Sequence, residues 1–217
     1  MSMISDIQYA ATRPASFFKT DTDADEPSLF RPALVVAAVA IVGLLSSIPT
    51  LLAVAEATPG DAGVFVIISV AVGSLLGVIG PFLSWLIIGG LFFIGSLVFG
   101  GDGEFRDLFA VIGWGFAPRV IVPVIGGITG FILISGTNFS DPQQARQLSQ
   151  MATTGTIGFV NHAVNAGTFI WAGWIWTHAV AQIRNISIQN AGIVVGAVVV
   201  VQILLNVGLS FLSASFI

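Results

Sequence analysis

Residues 64–99 run VFVIISVAVGSLLGVIGPFLSWLIIGGLFFIGSLVF, 36 consecutive positions without one charged side chain. Wound as a single straight helix, the run would be about 54 Å long, against a bilayer hydrocarbon core of roughly 30 Å. Charged residues make up only 8% of the 217-residue chain. A soluble domain carries about 25%, so there is too little charge here to cover a water-facing surface. The chain is an integral membrane protein, and its fold class is all-α: a polytopic membrane helix bundle.

The long run admits two readings. Two crossings hinged at Gly80-Pro81 would have only about 17 residues each, barely enough to span. One tilted or broken span over residues 68–99 fits better, kinked at Pro81, where proline removes an internal hydrogen bond. The other spans are expected at 33–55, entered through Arg31-Pro32, then 118–135, 156–182 and 191–217. That makes five. Arginine and lysine near span ends set the orientation. With the N-terminus inside, Arg13, Lys19, Arg31, Arg106 and Arg184 are cytoplasmic and Arg146 alone is outside, five to one. Two crossings in the long run would weaken the bias to four to two. The expected location is the cell membrane, with a cytoplasmic N-terminus and the C-terminus outside.

Residues 1–31 form a polar cytoplasmic tail ahead of a membrane domain at 32–217. The tail carries a short helix near 4–11, ended by Arg13-Pro14, and then Phe17 and Phe18 beside the acidic run DTDADE. Two adjacent phenylalanines dock at the bilayer interface or on the loop side of the bundle, unless the tail is disordered. With Lys19 the only lysine, the acidic exposed part suits a high-salt cytoplasm of haloarchaeal type. The tail has no basic start followed by an apolar run, so a cleaved signal peptide is not expected. Residues 136–155 read as a polar loop, with a short surface helix opening at Asp141-Pro142 and a glycan acceptor triplet at Asn138.

Charge is pressed between long apolar runs only at residues 100–123, GGDGEFRDLFAVIGWGFAPRVIVP. Asp102 is placed to cap a helix, with Glu104 in its first turn, where negative charge suits the helix dipole. Phe105, Leu108, Phe109, Ile112 and Phe116 recur on one helical face, while Arg106, Asp107, Ala110 and Gly113 fall largely off it. The spacing predicts a short interfacial amphipathic helix before the third span, which opens near Pro118; the plainer reading is the charged start of that span. Arg119 would then lie at the cytoplasmic interface, paired with Asp107 or Glu104 or meeting a lipid phosphate. The alternative is a buried functional arginine.

Small residues four apart, at Gly73/Gly77, Gly126/Gly130 and Gly192/Gly196, are expected to let the spans approach closely. Asn161, His162 and Asn165 form a polar stripe with Thr168 on the fourth span, and Gln202 and Asn206 share a face of the fifth. Interhelical hydrogen bonding accounts for them more simply than a polar path, because no carboxylate accompanies the stripe. Trp171, Trp174 and Trp176 with His178 read as interfacial anchors. The two histidines are sixteen positions apart and cannot share a metal. There is no cysteine, no serine with a histidine and acid arranged near it, no glycine-rich loop with a lysine, and no basic patch for nucleic acid. No catalytic, cofactor or metal site is expected.

RPASFF at residues 13–18, Arg31-Pro32, and above all GGDGEFRDLFAVIGWGFAP at 100–118 resemble the Yip domain family, the Ypt/Rab-interacting integral membrane proteins, and in particular its prokaryotic members. The resemblance covers nearly the whole chain; Trp114 stands where the family often has tyrosine. It implies a non-enzymatic membrane organiser or adaptor, acting in trafficking or membrane shaping and binding a cytoplasmic partner such as a small GTPase, alone or as a homo- or hetero-oligomer. Arg13, Pro14, Phe17, Phe18, Phe105, Arg106, Asp107, Trp114, Pro118 and Arg119 are the expected partner or interface residues. The alternative is a small transporter or channel using Asn161, His162, Asn165, Gln202 and Asn206.

Overall fold

The structure, a computed structural model, describes residues 2–22, 27–57, 61–135, 151 and 155–215. Helices α1 (Met3–Thr12) and α2 (Pro14–Thr22) precede the long α3 (Phe30–Ala57) and α4 (Asp61–Leu97). The short α5 (Phe105–Ile112) passes into a 3-10 helix (Gly113–Val120) and then α6 (Ile121–Ile134); α7 (Thr156–Ile183) and α8 (Ile188–Ser215) follow. No strand occurs among the described residues. Residues 64–97 of the uncharged run lie in one continuous helix with Pro81 inside it.

The long helices form a closed ring in the order α4, α3, α6, α7, α8 and back to α4. α5 touches α3, α4 and α7, and the 3-10 helix touches α3, α6 and α7, so the central stretch plugs one end of the ring. The tail closes over it: α1 packs on the 3-10 helix and α2 on α7. Pro14 opens α2 at its first position, where its missing N–H costs nothing.

Four helices among the described residues are long and apolar enough to cross a membrane: Phe30–Pro49, Val72–Leu97, Phe105–Ile134 and Ile188–Gly208. α7, the expected fourth span, is long enough at 28 residues but carries Asn161, His162, Asn165, Thr168, Thr177, His178 and Gln182, and falls outside that set.

Several local expectations change. Ala110 and Gly113, off the apolar stripe, are as buried as Leu108 and Ile112 on it. From residue 110 to 116 the stretch is covered by protein, while Glu104, Phe105 and Arg106 at its start stay exposed. Asp102 is not the helix cap: Glu104 holds that position, without a side-chain cap bond, and Asp107 is the acid in the first turn. The glycine pairs also mostly face outward. A Cβ at Gly73, Gly77, Gly126 or Gly196 would meet nothing within 4 Å. Close approach occurs instead at Gly89 against Ile112, Gly95 against Val194, Gly127 against Ser46 and Gly173 against Val199. Hydropathy cannot make this distinction, because lipid and a helix neighbour are equally apolar surroundings. The expected helix at Asp141-Pro142, the triplet at Asn138, Arg146 and residues 23–26 of the acidic run lie outside the described residues.

Candidate functional site

The plugged end is assembled around the end of α5. The last carbonyls of a helix lack intrahelical donors and must find others. Gly113 N–H turns back to Ala110 and Val111 rather than to Phe109. The Trp85 indole N–H on α4 donates to the Phe109 carbonyl at 2.8 Å, and the Trp176 indole on α7 donates to that of Ile112 at 2.7 Å. Two tryptophans from opposite sides thus hold the helix-to-3-10 transition. The glycines around Trp114 make this possible. A Cβ at Gly113 would lie 2.6 Å from Pro32 Cβ and 3.0 Å from the Trp85 ring, and one at Gly115 would overlap the Trp176 indole. Trp176 is therefore a core residue, not an interfacial anchor; Trp171 and Trp174 are exposed, and the Trp171 indole donates to the Ala11 carbonyl at 2.9 Å.

The tail joins the same core. Phe17 sits edge-on to Trp114, with ring centroids 5.2 Å apart, and also against Tyr9 and Phe18. Asp6, itself buried, pairs with Arg31 Nη1 at 2.7 Å at the entry to α3. The structure thus brings together the 13–18 motif, the Arg31-Pro32 entry and the central stretch. Pro14, Phe17, Phe18, Trp114 and Pro118 are buried there. Arg13 and Arg106 are exposed, Asp107 is half-buried, and Phe105 stands at the edge, stacked on Phe109 and edge-on to Phe93.

The sequence places Arg184 among the cytoplasmic charges, in a tight polar turn after the fourth span. It is 1% exposed. Its Nε donates to Ser96 Oγ at 2.9 Å, its Nη2 to the Gly101 carbonyl at 2.7 Å and its Nη1 to that of Gly103, while the guanidinium lies 4.3 Å over the Phe93 ring. In return, Asp102 N–H donates to the Arg184 carbonyl and Asn185 Nδ2 donates to Asp102 Oδ1 at 2.7 Å. Asp102 therefore locks one turn to the other. Gly100 and Gly103 take φ values of 74° and 88°, which suit glycine, and Asn185 takes 50°. Burial lowers the Arg184 pKa and the neighbouring Asp102 carboxylate opposes it. Arginine nonetheless keeps its charge. Sequence reasoning missed this clamp; the available signal was a glycine-rich turn and a lone arginine at facing ends of long helices.

Arg119 differs again. It forms no ion pair with Asp107 or Glu104. Its guanidinium carbon lies 3.9 Å over the Phe169 ring centroid, and its Nη1 is buried without a hydrogen-bond partner.

The polar residues of α7 and α8 divide between neighbours. Asn161 Nδ2 donates to Thr129 Oγ1 on α6 at 3.3 Å, and Asn165 Nδ2 to Asn206 Oδ1 on α8 at 3.3 Å. His162 is half-buried on the same helix. Gln202 lines a cavity of about 560 Å³ between α4 and α8, otherwise walled mainly by leucine, isoleucine and valine. The stripe is therefore joined across helices by side-chain bonds, and Gln202 stands apart from it. No group of three His, Cys, Asp or Glu converges as a metal site among the described residues.

No solved structure matches this chain. An uncharacterized protein of Methanocaldococcus jannaschii is 28% identical over 116 residues, covering 54% of this chain and 82% of that one. The sequence pattern of the Yip1 domain matches residues 9–209, from Tyr9 in the tail, through the plugged end, to α8. A match over that much of the chain fixes its family: the protein belongs to the Yip1 domain family of membrane proteins.

Proposed function

We propose that the protein is a non-enzymatic membrane organiser or adaptor, whose plugged end faces the cytoplasm and receives a protein partner. The observation that carries this reading is the packing of Phe17 on Trp114. Two motifs about a hundred residues apart build one folded head, and their aromatic residues serve as its core while Arg13, Lys19, Glu104 and Arg106 stand exposed around it. Charged groups around a rigid apolar frame give a partner orientation and specificity. The family resemblance makes a small GTPase the first partner to test. α7 is the remaining crossing in this reading, giving five spans with the N-terminus inside and the C-terminus outside.

The test uses the full chain in proteoliposomes. Single cysteines at Ser28 and Thr153 should label from opposite sides; labelling from one side would remove the topology. Reversing charge with Arg106→Glu and Asp107→Arg together should leave insertion and Tm nearly unchanged and abolish binding of a prenylated small GTPase or other cytoplasmic partner. The transporter alternative draws less support, since Asn161 and Asn165 are bonded to Thr129 and Asn206. Solute flux that depends on Asn165, with the head variants fully active, would overturn the adaptor reading.

A further inference from the structure

Arg119 is the residue whose surroundings and chemistry disagree most. It follows the buried Pro118 and precedes α6, which has no buried residue and turns Ile121 and Val124 outward. It therefore stands where the protein-covered plug gives way to a lipid-facing helix. Its guanidinium is fixed in place by the Phe169 face, a contact that engages the π-surface of the cation but none of its in-plane N–H groups. Nη1 is buried and unpartnered, and no carboxylate among the described residues pairs with the charge. An uncompensated guanidinium away from water is costly, and such groups in membrane proteins are held by a counter-ion or mark a site. Arg184 shows what this chain does with a buried arginine that is purely structural: its three nitrogens reach Ser96, Gly101 and Gly103.

We propose that Arg119, seated on Phe169 at the junction of the plug and α6, binds the phosphate of an anionic phospholipid. The planar fork of arginine matches phosphate oxygens through two parallel hydrogen bonds. A headgroup of net negative charge supplies the missing compensation, whereas a zwitterionic one brings its own cation. The acyl chains would lie along α6, whose Phe131 and Ile132 are exposed.

The experiment places the full chain in mixed micelles with equal amounts of dioleoylphosphatidylglycerol and dioleoylphosphatidylcholine, and reads retained lipid by native mass spectrometry. Wild type is expected to retain the anionic lipid about tenfold over the zwitterionic one, the scale of a charge-assisted pair. Arg119→Gln should bring the ratio to within about twofold of unity, and Arg106→Gln, an exposed charge on α5, should leave it unchanged. Equal retention by wild type, or a preference surviving Arg119→Gln, overturns the proposal. Should Arg119→Gln fail to fold, Arg119→Lys decides: charge without the fork lowers the ratio at least threefold if the proposal holds, and an unlowered ratio overturns it. A separate thermal series with inorganic phosphate assigns the source. Stabilisation by free phosphate equal to that by the lipid overturns the lipid assignment.

Discussion

The two ends of the bundle are built on different terms. At the plugged end, residues 108–116 are buried except Phe109, and tryptophan indoles, glycine contacts and the Arg184 clamp fix each turn to its neighbour. At the other end, α6 has no buried residue, and Leu45, Leu52, Leu75, Leu76, Leu204 and Leu205 are exposed. The first end is held by directional contacts between protein groups. The second is satisfied by lipid and by a few side-chain bonds such as Asn161–Thr129. The difference locates where sequence change should be felt.

The largest effect is expected at the clamp. Arg184→Ala leaves Ser96 and two carbonyls without their donor, and should cost about 3–5 kcal/mol of stability, read as a fall in the denaturation midpoint in detergent. A loss under about 1 kcal/mol would mean that the turns do not depend on each other. Next comes Gly115→Ala, which drives a Cβ into the Trp176 indole and should cost about 2–3 kcal/mol. The same assay checks it, and intrinsic tryptophan emission should shift with it.

Phe17→Ser should act more locally. It removes a ring from the Trp114 contact and exposes α1 and α2 to limited proteolysis, while α3 to α8 stay folded. Smallest is Gly77→Ala at the lipid end, where a new Cβ meets nothing. The midpoint should move by less than about 0.5 kcal/mol, with a slight gain from helix propensity. A large loss there would show that the outward glycines are packed against something, and would erase the contrast between the ends.

How much of this the residues disclose follows from the same contrast. The long helices, their order and the tail helix are visible because apolar runs, prolines and glycines act locally: α3, α4 and α8 lie close to where hydropathy puts them. What each apolar side chain faces is not visible. Gly73 and Gly77 share a spacing that suits helix contact, yet they look outward, while Gly113 and Gly115, two apart, press against Pro32 and Trp176. The central stretch reads as amphipathic because Arg106, Asp107 and Glu104 cluster at its start. The burial of residues 110–116 depends on Trp85 and Trp176, which lie on other helices. Arg184 and Arg119 are alike on paper; only their neighbours separate the clamp from the uncompensated charge.

The central claim is that the tail and the central stretch are one folded head. Amide hydrogen exchange on the full chain in lipid nanodiscs tests it most directly. The amides of α1, α2 and residues 108–118 should exchange as slowly as those at 172–180 of α7. Phe17→Ser should speed the first two groups together and leave α6 unchanged. Exchange of α1 and α2 at free-chain rates in the wild-type protein, with 108–118 still protected, would contradict it.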